Sequence, residues 1–447
     1  MIRRYPPSFP VNFKWQTGNM ILGQKLVRID LRYGEGTLPL EIPHKYDTEY
    51  VVPKTVMGFP DDSHEINRSV EEALNSKPLS QLLAQAKTAA MVVNSEQDLK
   101  LNQVLLNTLL GILRTSMADP SNVTLLFSPM LGSTTNLSEI NHILGEPTAD
   151  GHQLVLHNPK DDENLCYVGE TSTFSTPVSI NKAFAEADIR IGLGTIRHNI
   201  FIGATGGRIS VIPHVSAHKT IVRNLKLQAT STVGPFVTNS PTCVDMDEIS
   251  RIANLDFIIN AIPDCNDTIA SVLAGEPHCA WNHGVDTART LSEAPIQHKS
   301  DIAIVSAGGL SSDITLYNAI DSLYAAREVT EYGGAIVLIA ECAEGPGPSG
   351  FLKGVSECQS ESEVVFTAET GFEPGMEKAR FLWNLLSSRK LIICSRLKDS
   401  MVVEHFHSQA VRDPQEGLEL AKREIVSRPR IAIIPQGNWT LPVFRNR

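Results

Sequence analysis

Two neighbouring stretches decide the fold class of this chain, DIAIVSAGGLSSDITLYNAID (residues 301–321) and GGAIVLIAECAEG (residues 333–345). The first reads as an apolar strand, a turn at Gly308 and Gly309, and a helix that carries an early aspartate, Asp313. The second reads as another apolar strand that ends in an acidic loop. This order predicts a βαβ unit, and open α/β sheets place ligands at the carboxyl ends of their strands.

Composition limits the classes of protein to which the chain can belong. Its 447 residues favour two domains, and 42% hydrophobic with 20% charged residues is typical of globular proteins. The net charge of -11 argues against nucleic-acid binding, which rewards an excess of Lys and Arg. Seven cysteines without paired spacing favour reduced thiols. Since no signal peptide or membrane-length apolar run is evident, we expect a cytoplasmic protein without a membrane partner.

Apolar periodicity predicts the organisation of the remaining chain. Strands at 89–93 and 123–127 flank a helical run at 101–113, an order typical of parallel pairing. We expect an N-terminal α/β domain at 1–267, a helical connector at 268–295, a C-terminal α/β domain at 296–428, and a terminal segment at 429–447 that returns to the N-terminal domain. The predicted fold is two α/β domains with largely parallel sheets and an interdomain cleft.

Several separated motifs, together with the opening stretches, resemble a single family. They are Tyr33-Gly-Glu-Gly36, Asn164-Leu-Cys-Tyr-Val-Gly-Glu-Thr171, Gly203-Ala-Thr-Gly-Gly207, Thr220-Ile221 and Ile434-Pro-Gln-Gly437. In this order they resemble the nickel-pincer lactate racemase family. The resemblance implies a lactate racemase-like fold and, in active members, inversion of lactate or similar 2-hydroxy acids.

The resemblance also implies a cofactor and a set of catalytic groups. The cofactor is a nickel held by an organic pincer nucleotide, which is tethered to a lysine and ligated by a histidine. It accepts a hydride from the substrate carbon, while two histidines handle the hydroxyl proton and an arginine holds the carboxylate.

The tether and the metal ligand are replaced in this chain. The lysine is expected directly after Gly206 and Gly207, where Arg208 stands, and a guanidinium stays protonated and cannot serve as an ordinary nucleophile. The nickel histidine is expected in an Asn-His pair, where the chain has Asn224-Leu225. We therefore predict that neither the pincer nucleotide nor a metal is bound.

The positions implied for substrate handling are changed as well. One base histidine is expected near residues 131–135, where none occurs, and the other falls on Asn199, beside His198. The carboxylate-binding arginine is expected near Glu96, where no arginine occurs. The family motif Tyr-Gln-x-x-Lys stands here as Tyr317-Asn318-Ala-Ile-Asp321, which reverses one charge.

The polar residues that remain at these places are the candidate site. We assign possible catalytic roles to His198, Asp321 and Glu96, and possible substrate or anion binding to Gly206, Gly207, Arg208, Ser133, Thr134, Asn199 and Asn318.

Some of these assignments, and one further histidine pair, have a simpler alternative. The glycines could present backbone amides to an anion beside Arg208, or form a turn next to a solvated arginine. Ser133 and Thr134 could bind a ligand or cap a helix, and we favour capping. His214 and His218 would share one face of a helix and could bind a metal, but ordinary loop histidines are the preferred interpretation.

The sequence therefore predicts a divergent lactate racemase-like protein that binds a small carboxylated, 2-hydroxy acid-like molecule in the cleft. No nickel-pincer hydride transfer is expected. Two alternatives stay open, an active 2-hydroxy-acid racemase or epimerase with an altered catalytic set, and a non-catalytic scaffold.

Overall fold

The computed structural model describes residues 16–21, 24–94, 99–117, 119–128, 151–230, 234–423, 425 and 428–445. Its strands are β1 (Gln16–Ile21), β2 (Gln24–Tyr33), β3 (Gly36–Pro43), β4 (Asp47–Tyr50), β5 (Ala89–Asn94), β6 (Val123–Ser128), β7 (Gln153–Leu156), β8 (Leu165–Glu170), β9 (Pro177–Asn181), β10 (Ile189–Thr195), β11 (His198–Asn199), β12 (Gly203–Ala204), β13 (Phe257–Pro263), β14 (Ile269–Gly275), β15 (Glu293–Ile296), β16 (Ser300–Ser306), β17 (Thr330–Ile339), β18 (Lys390–Cys394), β19 (Gln409–Val411), β20 (Arg430–Ile434) and β21 (Leu441–Phe444).

The helices alternate with these strands along most of the chain. They are α1 (Asp62–Glu71), α2 (Leu79–Gln85), α3 (Leu99–Ser116), α4 (Lys182–Ala185), α5 (His218–Thr230), α6 (Pro241–Ile252), α7 (Pro277–Ser292), α8 (Leu310–Asp313), α9 (Leu316–Ala319), α10 (Leu323–Val329), α11 (Ser349–Ser356), α12 (Glu361–Gly371), α13 (Met376–Leu386), α14 (Asp399–Glu404) and α15 (Pro414–Arg423). Within the described ranges, none of them has the length and apolar character of a membrane span.

Two compact units make up the chain. Unit 1 combines Met1–Thr55 with Leu291–Arg447, and unit 2 is the continuous segment Val56–Thr290. Unit 2 is therefore an insertion into unit 1, which is a different division from the sequential domains that the sequence predicted.

The sheet of unit 2 has the strand order β14-β13-β10-β5-β6-β7. All neighbouring pairs are parallel except β13 and β14. Ile191 and Leu193 of β10 belong to the apolar core that includes helix α3, whereas a Cβ on Gly192 would lie 2.5 Å from the Ser210 hydroxyl. Alternate residues of a strand face opposite sides. Helix α3 and the segment of Ser210 therefore cover opposite faces of this sheet.

The sheet of unit 1 has the strand order β19-β18-β17-β16-β20-β4, and all pairs are parallel. The β2/β3 hairpin and helix α15 pack on it in one apolar core, to which Ile29, Leu40, Val337 and Leu418 belong. The strands β16 and β17 come from the two opening stretches of the sequence. The predicted βαβ unit and the α/β fold class are thus confirmed.

The connector and the terminal segment are arranged differently from the prediction. The connector expected to be helical at 268–295 contains strand β14, which pairs antiparallel with β13, and helix α7 begins only at Pro277. The terminal segment at 429–447 does not join the unit that contains most of the predicted N-terminal domain. Its strand β20 pairs with β16 and β4, because residues 47–50 themselves belong to unit 1.

Candidate functional site

A glycine turn lies beyond the end of strand β10 in unit 2. Gly206 and Gly207 have φ angles of 77° and 54°, which favour glycine. A Cβ on Gly207 would lie 2.7 Å from Cδ1 of Trp281. The Gly207 amide donates a hydrogen bond of 3.0 Å to Asn260 Oδ1. The turn is therefore packed against side chains, and this amide has a partner within the unit.

Arg208 points into unit 2 and is 4% exposed. Its Nη1 lies 2.8 Å from Asp247 Oδ1, and its Nη2 donates to the Ile202 carbonyl at 3.0 Å. The guanidinium also stacks on Trp281. The arginine is therefore buried and paired, not solvated as one sequence alternative had it. Both terminal nitrogens are engaged in contacts that stabilise the fold, which disfavours the predicted anion site.

Asn224, on helix α5, lies next to the position at which the family resemblance places a nickel histidine. It is buried, and its Nδ2 donates to Asp245 Oδ2 at 2.9 Å and to the Thr242 carbonyl at 3.2 Å. The next residue, Leu225, has an aliphatic side chain that offers no metal-binding atom.

The Asp245 carboxylate is the centre of a buried hydrogen-bond network. It is 0% exposed and accepts hydroxyl hydrogen bonds from Thr171 at 2.8 Å and Thr176 at 3.1 Å, in addition to the Asn224 bond. Three donors compensate the cost of burying this polar group. The network ties the loop between strands β8 and β9 to helices α5 and α6.

Asn199 has a local structural role in the loop after β11. Its Oδ1 accepts hydrogen bonds from the amides of Phe201 at 2.8 Å and Ile202 at 3.0 Å. This is the Asx-turn arrangement in which an asparagine side chain fixes the backbone two and three residues on.

His198 precedes Asn199 and is half-buried. Its ring packs edge-on against Phe236, with 5.9 Å between the two ring centroids. Burial and the charge of Arg197 lower the pKa of His198 to about 4. The imidazole is therefore neutral at pH 7.

His214 and His218 do not share a helix face. Helix α5 begins at His218, and His214 lies before it. Burial and the neighbouring His157 lower the pKa of His214 to about 4, and burial with Lys160 lowers the pKa of His218. In the parts of the chain that the structure describes, no group of three or more His, Cys, Asp or Glu is arranged to hold a metal.

Unit 1 brings together the two candidate residues that lie in it. Asn318 and Asp321 are separated by one turn of the helical run that α9 begins. Lys378 of helix α13 places its Nζ 2.7 Å from Asp321 Oδ1 and donates to the Tyr317 carbonyl at 2.9 Å. The acid that replaces the expected lysine is therefore paired with a lysine from another helix.

A second acid lies directly beside this lysine. Glu377 is 2% exposed, and its two oxygens accept hydrogen bonds from the Tyr317 hydroxyl at 2.6 Å and the Gly375 amide at 2.8 Å. Lys378 Nζ also lies 4.1 Å from the centre of the Tyr317 ring. We call Tyr317, Asn318, Asp321, Glu377 and Lys378 the Tyr317 cluster.

Burial sets the proton affinities in the Tyr317 cluster. It raises the pKa of Asp321 and of Glu377, although Lys378 opposes the shift of the first and the Tyr317 hydroxyl that of the second. The pKa of Tyr317 is raised by burial and by the Glu377 carboxylate. Sequence reasoning missed Glu377 and Lys378, because no local motif marks them as neighbours of Tyr317.

Another acid, Asp313, lies at the carboxyl ends of strands β16 and β17. It is 0% exposed, and its Oδ2 accepts the amides of Gly34 at 2.9 Å and Glu341 at 3.1 Å. Glu341 in turn pairs with Arg396 at 3.1 Å. Burial raises the pKa of Asp313. These bonds join the β2/β3 turn to the loop after β17, so this aspartate acts as a structural link.

Three of the predicted residues, Glu96, Ser133 and Thr134, lie outside the described residues. The others fall into two groups in different units. His198, Asn199, Gly206, Gly207 and Arg208 lie in unit 2, whereas Asn318 and Asp321 lie in unit 1.

Known proteins match both halves of the chain. Residues 33–233 match the lactate racemase N-terminal domain, and residues 296–440 match the lactate racemase C-terminal domain. The lactate racemase of Lactiplantibacillus plantarum is 25% identical over 429 residues, which cover 92% of this chain and 99% of the relative. That of Thermoanaerobacterium thermosaccharolyticum is 26% identical over 427 residues, which cover 92% of this chain and 98% of the relative.

Solved structures show the same fold. The lactate racemase apoprotein from Thermoanaerobacterium thermosaccharolyticum superimposes with a TM-score of 0.81 at 23% identity, covering 93% of this chain and 100% of that chain. A protein from Thermotoga maritima gives a TM-score of 0.63 at 13% identity, covering 87% of this chain and 100% of that chain. Because the two domain matches together span most of its length, this protein belongs to the lactate racemase family.

Proposed function

We propose that this protein is a divergent lactate racemase-like protein that binds a small carboxylated molecule of the 2-hydroxy acid type without nickel-pincer hydride transfer. The observation that carries this proposal is that Arg208, at the position where a tether lysine is expected, is buried and forms an ion pair with Asp247.

The family cofactor does not fit the residues present. A covalent tether needs a nucleophilic amine, and the guanidinium of Arg208 is protonated, paired and stacked on Trp281. A nickel ligand needs a donor atom, and the expected position carries Leu225 beside an Asn224 whose Nδ2 is bound to Asp245. No reaction step of this chain is therefore assigned to the pincer group.

The Tyr317 cluster supports binding of a small polar molecule. The Thr315 hydroxyl donates to Asn318 Oδ1, which orients the Asn318 Nδ2 group as a donor. The Lys378 ammonium is 9% exposed and is paired with Asp321, so the Asn318 amide is the donor that the cluster offers to a ligand. Donor groups of this kind suit a carboxylate ligand.

Loss of the pincer is tested on the intact protein, purified from cells supplied with nickel. We expect the unmodified mass by mass spectrometry and no stoichiometric nickel by elemental analysis. A protein carrying a covalent nucleotide adduct and one nickel per chain would contradict this part of the proposal.

Ligand binding is tested by isothermal titration calorimetry with D-lactate, L-lactate and propionate. Removal of the amide donor in Asn318→Ala should weaken binding by about tenfold, because one hydrogen bond to a charged group is lost. The control Lys353→Met removes a lysine whose ion pair with Glu373 is partly solvent-exposed, and binding should be unchanged. Failure of all three acids to bind would contradict binding of a 2-hydroxy acid.

An active racemase with an altered catalytic set is the second candidate, favoured by one observation. Asp321 keeps 25% side-chain exposure and has a pKa raised by burial, as a proton-transferring carboxyl requires. The test is a chiral assay of lactate enantiomers with wild type and Asp321→Asn. Interconversion that the substitution abolishes would support this candidate over simple binding.

A further inference from the structure

The accessible group of the Tyr317 cluster is a carboxylate, and the cation lies behind it. The side chain of Asp321 is 25% exposed, whereas that of Lys378 is 9% exposed. Asp321 Oδ1 is itself buried and lies 2.7 Å from Lys378 Nζ. The exposed part of the aspartate is therefore the part that does not contact the lysine.

The cluster holds two carboxylates against one ammonium. Both oxygens of Glu377 accept hydrogen bonds, from the Tyr317 hydroxyl and from the Gly375 amide, so this carboxyl group is already engaged within the unit. The Lys378 ammonium contacts Asp321 from the buried side. A ligand that brought only a carboxylate would place negative charge beside the exposed Asp321 carboxyl group, whereas a ligand with a cationic group would be attracted to it.

A donor and an acceptor lie side by side at the same place. Asn318 and Asp321 are three residues apart on a helical run that tightens to a 3-10 turn at Ile320–Ser322, so their side chains project from one face. The Thr315 hydroxyl occupies Asn318 Oδ1 and leaves its Nδ2 to donate. The face thus offers an amide that can bind a carboxylate next to a carboxylate that can bind an ammonium.

We propose that the ligand of the Tyr317 cluster is a 2-amino acid, whose ammonium group is bound by Asp321 and whose carboxylate is bound by the Asn318 amide. This inference rests on the proposed function, from which it keeps the small carboxylated ligand, and it assigns an ammonium rather than a hydroxyl to carbon 2. Asp321 is the residue that determines this specificity.

Three probes with the same carbon skeleton test the inference. Alanine carries an ammonium at carbon 2, lactate carries a hydroxyl, and propionate carries neither. Calorimetric titration of the full-length protein with both enantiomers of the first two should give binding of one alanine enantiomer at least about tenfold tighter than lactate. Propionate should bind more weakly than both.

The variant Asp321→Asn separates charge from shape. It should abolish the preference for alanine over lactate. We expect alanine binding to weaken by about tenfold or more and lactate binding to change less than about threefold. Glu373→Gln, which removes a partly exposed acid of the same unit, should leave the preference intact. Equal melting temperatures of the three proteins without ligand would establish that the variants are folded.

The outcomes distinguish binding of a 2-amino acid from the more general proposal that a small carboxylated molecule binds. If lactate binds as tightly as alanine in the wild type, the amino-acid inference is overturned and binding of a carboxylated molecule stands. If none of the probes binds, both are overturned. A preference for alanine that survives Asp321→Asn would overturn the role given to Asp321, as would loss of the preference in Glu373→Gln.

Discussion

The guanidinium carbon of Arg208 lies 4.1 Å from the centre of the Trp281 ring, with Trp281 Nε1 donating to the Thr205 carbonyl at 2.9 Å. The indole is thus held by the backbone just before the glycine turn, and the arginine is held by the indole. Arg208 stands at the position where the lactate racemase family is expected to carry the lysine that tethers the cofactor. In this protein that position contributes to the packing of unit 2.

Replacement of Arg208 by lysine should destabilise unit 2 without creating a tether. Lysine keeps the charge but loses the planar stack on Trp281 and the second hydrogen bond to Ile202. We expect the free energy of unfolding to fall by about 1–3 kcal/mol, measured by urea titration. Arg251→Lys, at an exposed position of α6, is the control and should have an effect below about 0.5 kcal/mol. A stable Arg208→Lys protein would contradict the structural role.

The carboxylate of Asp245 is expected to be among the most costly groups to remove. The variant Asp245→Ala leaves the donors of Thr171, Thr176 and Asn224 without their shared acceptor. The expected loss of stability is about 3–5 kcal/mol, since a buried network is broken. Differential scanning calorimetry measures it, with the exposed Asp162→Ala as control. A melting temperature close to that of the wild type would exclude the network as a source of stability.

Removal of the cation from the Tyr317 cluster should be costly and pH-dependent. In Lys378→Met, Asp321 and Glu377 lose the nearby ammonium, and breaking a buried pair costs about 3–5 kcal/mol at pH 7. The cost should shrink as the pH falls and the carboxyls become protonated. Lys353→Met, which breaks a more exposed pair, should have a much smaller effect at any pH. If Lys378→Met and Lys353→Met lowered the free energy of unfolding equally, burial of the Lys378 ion pair would not be the source of its stabilising effect.

Acid should destabilise unit 2 through its neutral histidines. The pKa of His198 is lowered to about 4 in the folded protein from its ordinary value of 6.5, so the unfolded chain binds the proton more tightly. The contribution of this histidine to stability is complete above pH 6.5 and is lost as the pH falls towards 4. We expect the free energy of unfolding to fall by about 2 kcal/mol as the pH is lowered from 6.5 towards 4, after allowance for the partial exposure of His198.

The variant His198→Phe isolates this contribution. It keeps an aromatic ring against Phe236 and removes the titrating group, so its unfolding free energy should fall less between pH 7 and pH 4 than that of the wild type. His214, whose pKa is also lowered to about 4, retains its own acid sensitivity in this variant. The exposed His64→Phe is the control, and identical pH profiles of wild type and His198→Phe would disprove the assignment.

The strands β5, β6, β16 and β17 could be predicted because buried parallel strands read as continuous apolar runs. The segment at 269–275 was misread as helical, because Ile269, Val272 and Leu273 also fit a helical spacing. Its pairing with β13 across a short turn decides in favour of a strand. Here tertiary contacts override the local pattern.

The candidate site was only partly predictable for a similar reason. The replacement of a lysine by Asp321 is visible in the sequence, whereas its pairing with Lys378 depends on where helix α13 packs, and nothing local encodes that. Arg208 was identified as replacing the tether, but its partner Asp247 is 39 residues away along the chain. The sequence marks which residues changed, and packing decides which groups compensate them.

The pairing of β4 with β20 sets an order of events during synthesis. Strand β4 ends at Tyr50, and its partner ends at Ile434, so the sheet of unit 1 lacks this edge until residue 434 has been translated. All residues of unit 2 are available once Thr290 has emerged. We expect unit 2 to fold first on the ribosome, whereas the β2/β3 hairpin packs onto its sheet only after the later strands of unit 1 have been made.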